Sequence, residues 1–127
     1  MNQTQVITTE QSAQQLNDII VDAIKDIKGK NIVKLDLREL DDAPTDYFII
    51  CEGESNTQVQ AIAANIQKRL KQELKTFPSH VEGMQGAMWV LVDYFLTVVH
   101  VFHPEKRNFY EIEDLWSDAQ ITEYANL

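Results

Sequence analysis

The chain has 127 residues, 44% of them hydrophobic and 24% charged, with 20 acidic against 11 basic side chains and a net charge of −9. That length suits one domain with its own core, the single cysteine leaves no internal disulfide and fits a reducing compartment, and no apolar run approaches the roughly 20 residues of a membrane span. The acidic balance excludes broad contact with nucleic-acid phosphates and favours a basic protein as partner.

The opening MNQTQVITTEQSAQQ has neither a basic segment nor an apolar stretch, so no signal peptide is read there and a cytoplasmic setting is expected. Residues 1–11 are expected to be a flexible tail. Ser12 and Gln15 form an S-x-x-Q pair that predicts a helix start. Leu16, Ile19, Ile20, Ala23, Ile24 and Ile27 follow at helical spacing, with Gly29 as the expected C-terminal cap. Asn31–Leu37 reads as a strand, and Arg38–Thr45 as a turn-rich connection. The apolar run Asp46–Cys51 predicts a central strand covered on both faces. A second S-x-x-Q pair, Ser55 and Gln58, opens a helix whose apolar stripe is Val59, Ile62, Ala63, Ile66, Leu70 and Leu74.

Beyond Pro78 the pattern predicts a short extended piece at His80–Glu82. Two strands, Met88–Asp93 and Leu96–Phe102, lie close enough to form a hairpin. Pro104 ends that pattern, and Leu115–Trp116 sits in an acidic segment expected to be helical. The short link between the first two strands makes them antiparallel neighbours, and the helix after the second allows a right-handed parallel crossover to the third. These elements predict a single α/β domain over residues 12–119, a mixed β-sheet with packed helices, and a C-terminal tail over 120–127.

Gly53-Glu54-Ser55 lies between a buried strand and a helix, where α/β folds bind nucleotides. A nucleotidyltransferase would follow its Gly-Ser pair with two metal-binding carboxylates. Here no D-x-D follows, and Asp93 alone cannot hold two Mg²⁺ ions. A divergent nucleotidyltransferase-like enzyme near Gly53–Ser55 is therefore the alternative function, not the leading one. His100 and His103, at i and i+3 on a strand, point apart and make no zinc pair, so no metal or other cofactor is expected. Cys51 reads as a small core residue.

The hairpin tip Tyr94-Phe95-Leu96 is apolar where turns are normally polar or Gly-containing. Arg107, Phe109 and Tyr110 form a second aromatic-basic cluster after Pro104. Aromatics and Arg are the residues that interface centres favour. Asp36–Glu54 holds seven acids and one base, and Glu105–Leu127 six acids and two bases. Two acidic segments flanking an aromatic sheet end would steer a basic partner.

Five ordered blocks carry a family resemblance. They are the first helix, D-Y-F-I-I-C-x-G-x-S-N-x-Q-V-x-A-I-A, E-G-x-x-x-A-x-W-V-L-V-D-Y, V-V-H-V-F and R-x-F-Y-x-I-E-x-L-W-x-D-A. Together, over roughly residues 13–119, they resemble the ribosomal silencing factor (RsfS, or Iojap) family. The resemblance implies a nucleotidyltransferase-like fold without enzyme activity. It implies binding to the large ribosomal subunit through its protein L-fourteen, which blocks joining of the small subunit and represses translation. By the same resemblance, Trp89, Asp93, Tyr94, His100, Phe102, Arg107 and Tyr110 are the expected partner-binding residues. Little direct nucleic-acid contact and no membrane contact are expected, and a homodimer through the apolar hairpin is a further expectation. Family members commonly read D-Y-G-D at the hairpin tip. Asp93-Tyr94-Phe95-Leu96 departs from this, and losing the Gly predicts a wider turn.

Overall fold

The structure, a computed structural model, describes residues 9–110, 114 and 116–126. Helix α1 (Thr9–Asp26) leads into strands β1 (Lys30–Asp36) and β2 (Tyr47–Glu52), then helix α2 (Asn56–Leu74). Strands β3 (His80–Glu82), β4 (Trp89–Asp93) and β5 (Thr97–Phe102) follow, then helix α3 (Pro104–Tyr110) and strand β6 (Gln120–Glu123). The six strands form one sheet in the order β3-β4-β5-β2-β1-β6. This is the mixed α/β single domain that the sequence predicts.

The expected antiparallel β1–β2 pair and β4–β5 hairpin are both present. The parallel partner of β2 is β5, from Tyr47 opposite Thr97 to Glu52 opposite Phe102, and not the strand that directly follows α2. That strand, β3, lies at the sheet edge against β4. Three residues cannot make a central strand, whereas all six residues of β5, four of them apolar, are buried and suit the sheet centre.

Both helices pack on one face. Ile20, Ala23 and Ile24 of α1 and Val59, Ile62, Ala63, Ile66 and Leu70 of α2 bury against Ile49, Cys51, Val90, Val92, Val99 and Val101. The opposite face carries Val33, Leu35, Phe48, Ile50, Val98 and Phe102, covered in part by Leu40, Ala43, Trp116 and Ala119. Cys51 is fully buried on the helix side, where burial pushes its thiol up to about 12, so it is an inert core residue.

Ser12 and Gln15 do not start α1, because the helix already runs from Thr9. At its other end Lys28, not Gly29, takes the left-handed conformation, with φ 61°. Gly29 is required for space instead: a Cβ there would stand 2.3 Å from Ile24 Cγ2. The second S-x-x-Q pair does cap. Ser55 Oγ accepts from the Gln58 N–H at 3.1 Å, while Gln58 Oε1 accepts from the Glu54 N–H at 2.6 Å. Gln58 Nε2 also donates to the carbonyls of Ile27 and Lys28, tying the start of α2 to the end of α1.

Residues 120–123, expected in a C-terminal tail, form β6 and pair antiparallel with β1 from Val33 opposite Glu123 to Asp36 opposite Gln120. Pro104 does not simply interrupt the chain. It is the first residue of α3, where its missing N–H costs nothing, and His103 Nδ1 accepts from the Glu105 N–H.

Candidate functional site

The alternation of β4 decides what its residues can touch. Trp89, Leu91 and Asp93 are half-buried on the helix-free face, whereas Val90 and Val92 are buried beneath the helices. Pairing with β5 sets Trp89 beside Phe102, Leu91 beside His100 and Asp93 beside Val98. On the other side, β3 brings His80 opposite Asp93 and Glu82 opposite Leu91, and both are exposed. His80 Nε2 lies 2.7 Å from Glu82 Oε1.

An aromatic cluster supports this stripe. Trp89 stacks on Phe102 with ring centroids 5.0 Å apart, and Phe48 meets His100 edge-on at 4.7 Å. Trp116 meets Phe48 edge-on at 6.1 Å, so it closes the far side of the same cluster. His100 Nδ1 accepts the Trp89 indole N–H, and Nε2 is buried with no partner among the described residues. Burial pushes the His100 pKa down to about 4, so the ring is neutral at physiological pH.

The seven expected partner-binding residues do not form one surface. Trp89 and Asp93 reach the helix-free surface. His100 and Phe102 lie beneath it as support, Phe102 with no exposure at all. Arg107 is buried, donating to the Asn31 carbonyl and standing 3.3 Å from Glu52 Oε1, so it clamps α3 to the start of β1 and the end of β2. Tyr94 packs among the helix-side residues, and burial raises its hydroxyl pKa. The Tyr110 side chain lies outside the described residues.

The hairpin tip is not wider for want of glycine. Phe95 itself takes φ 76°, and the Leu96 N–H bonds the Tyr94 carbonyl two residues back at 3.0 Å, a γ-turn. Asp93 Oδ1 steadies it by accepting the Phe95 N–H at 2.7 Å. Thr45 Oγ1 donates to the Phe95 carbonyl at 2.9 Å.

Trp116, which the E-D-L-W sequence suggests as a core residue, is packed against the aromatic cluster. Beside it lies a recess of about 390 Å³ lined by Glu39, Leu40, Asp41, Asp42, Trp116 and Asp118. Four carboxylates around an indole give this side a cation-seeking character. The nucleotide alternative fares differently. Two amides of this turn, those of Glu54 and Gln58, are engaged by Gln58 Oε1 and Ser55 Oγ within the cap. Ser55 follows β2 where Glu52 faces Phe102, while Asp93 faces Val98 near the other end of β5, so the two residues do not converge.

A family model described as "Ribosomal silencing factor during starvation" matches residues 10–127. The chain belongs to the RsfS family. A ribosomal silencing factor RsfS from Halalkalibacterium halodurans is 40% identical over 112 residues, covering 88% of this chain and 94% of the relative. A crystal structure of a Chromobacterium violaceum protein superposes with a TM-score of 0.77 at 38% identity, covering 82% of this chain and 85% of the other. A more distant relative, the mouse protein named "Mitochondrial assembly of ribosomal large subunit protein 1", is 33% identical over 87 residues, 64% of this chain and 38% of its own. The Halalkalibacterium and mouse relatives carry names of ribosomal silencing and of ribosome assembly rather than of catalysis. Among the described residues no helix is long and apolar enough to cross a membrane.

Proposed function

We propose that this protein docks through its helix-free face on protein L-fourteen of the large ribosomal subunit. Its bulk then keeps the small subunit from joining, which represses translation in the cytoplasm. The observation that carries the reading is the half-buried stripe Trp89–Leu91–Asp93 on a stiff aromatic platform, on the same face as the acid-lined recess by Trp116. A large flat ring held in place gives anchor area with little entropy left to lose. Asp93, with one oxygen engaged by Phe95, keeps the other for a cation of the partner. His100 and Phe102 position Trp89 from beneath, and Arg107 and Tyr94 act through the fold. Obstruction of this kind requires no bond to be made or broken, so no catalytic residue is assigned.

The test is co-sedimentation of the purified protein with separated ribosomal subunits in sucrose gradients. Travel with the large subunit only, and fewer joined ribosomes as protein is added, is the expected result. Trp89→Ala should weaken that binding by about 30-fold, the effect of losing one interface hot spot, with an unchanged circular dichroism spectrum. Protein left at the top of every gradient would overturn the reading.

A further inference from the structure

The helix side of the molecule carries a feature that docking through the opposite face leaves unused. In a chain of net charge −9, the last turns of α2 expose Lys68, Lys71 and, at its cap, Lys75. Arg69 on the neighbouring flank gathers the nearby acids: Asp22 at 2.6 Å, Glu73 at 2.7 Å and Asp26 at 3.0 Å. No carboxylate pairs with the three lysines among the described residues. The helix ends in a double turn in which the Lys75 N–H bonds the Lys71 carbonyl and the Thr76 N–H bonds the Leu70 carbonyl. That turn directs the chain to Phe77, which is 64% exposed.

The same end of the molecule holds the hairpin tip. The Ser79 N–H bonds the Asp93 carbonyl, so the segment after Phe77 runs beside the base of the tip. Leu74 and Thr76 share a recess of about 330 Å³ with Tyr94, Leu96 and Leu16. Phe77 adjoins one wall of that recess in sequence and Phe95, 77% exposed, adjoins the other. Two exposed phenyl rings thus each follow or precede a residue lining this recess, whose walls mix apolar side chains with Ser12, Gln15, Thr76 and Thr97, and the lysines occupy about 10 Å of the adjoining helix end.

We propose that this end binds unpaired RNA nucleotides, with the two rings stacking bases and Lys68, Lys71 and Lys75 neutralising the phosphates between them. Exposed rings beside cations are the arrangement that single-stranded nucleic acid uses, because every base offers a flat face and every link a charge. An acidic peptide would match the charge but has no base to stack. The acidic remainder of the chain confines the contact to this end.

The probe is a fluorescein-labelled twelve-nucleotide oligo(U), titrated with the full chain at low salt and followed by anisotropy. Saturable binding is expected, with log Kd rising with log salt at a slope of about 2, as three phosphate contacts require. Phe77→Ala and Phe95→Ala should each weaken it about fivefold or more. Lys71→Gln with Lys75→Gln should reduce the slope to about 0.7. Trp89→Ala should leave it unchanged, which separates this proposal from docking through the other face. No anisotropy change at millimolar protein, or binding indifferent to the phenylalanines and lysines, would overturn it. Variants that keep oligo(U) binding yet lose the large subunit would also overturn it, by showing a protein partner at this end.

Discussion

Trp89 donates its indole N–H to His100 Nδ1 at 3.0 Å, diagonally across the β4–β5 ladder. The bond fixes His100 in the neutral form with its proton on Nε2, since Nδ1 must offer a lone pair. It also fixes the plane of the indole that we propose as the docking anchor.

Protonating His100 would turn that acceptor into a donor facing another donor, inside an aromatic cluster. The folded pKa of about 4 lies below the ordinary 6.5. The unfolded chain therefore takes up a proton that the fold refuses, and stability present above pH 6.5 is lost as pH falls towards 4. The loss should be of the order of 3 kcal/mol, measured by urea unfolding at stepped pH. His100→Gln should flatten that interval. Asp36, whose carboxyl is held below its usual value chiefly by the Arg38 side chain, adds its own loss only in the more acidic range.

Phe95→Gly should stabilise the protein. Phe95 holds φ 76° with a β-carbon that resents it, and its exposed ring contributes little packing. Relief should amount to about 1 kcal/mol after the extra freedom of glycine in the unfolded chain is set against it. A higher urea midpoint at unchanged slope is the readout, and a lower midpoint would show that the ring packs in solution.

Gln58→Ala should cost about 1–2 kcal/mol, because one side chain serves the Glu54 N–H and the carbonyls of Ile27 and Lys28. Gln58→Glu should do no better. It keeps an acceptor for Glu54 but turns a charge towards two carbonyls. Thermal melts of both variants check this.

Arg107→Leu should destabilise by about 3 kcal/mol, since it strands the Asn31 carbonyl and leaves the half-buried Glu52 carboxylate without its cation, with only the Asn31 side-chain amide still donating to it. Any loss of subunit binding in this variant should track its melting curve. Trp89→Ala should lose binding while still folded, and that contrast separates a clamp from an anchor.

Much of this architecture could be read along the chain. The Ser55–Gln58 cap, the stripe of α2 and the β4–β5 hairpin are local patterns, and each appears where its pattern predicts. The parallel β2–β5 pair is a choice among distant strands that no local signal makes. β6 has a single apolar side chain, Ile121, so no alternation announces it. At the candidate site the family blocks name Asp93 and Tyr94 together, yet neighbours on a strand face opposite ways. The period of two was the signal that could have divided them. Trp116 reads as a core residue in E-D-L-W, but its place depends on where β2 carries Phe48.

The pairing of β1 with β6 reaches a long way along the chain: the Asn31 N–H is held by Asn126 Oδ1 from 95 positions away, and the Tyr124 N–H bonds the Ile32 carbonyl. Closure of so long a loop is slow to be repaid, and contacts of this span form late in folding. A nascent chain would therefore carry an open edge on β1 while most of its sheet is already assembled. Such an edge invites strand-to-strand capture by another copy. The first third of the molecule would thus be most prone to aggregate while it is still being synthesised, and its protection arrives only with residues 120–126.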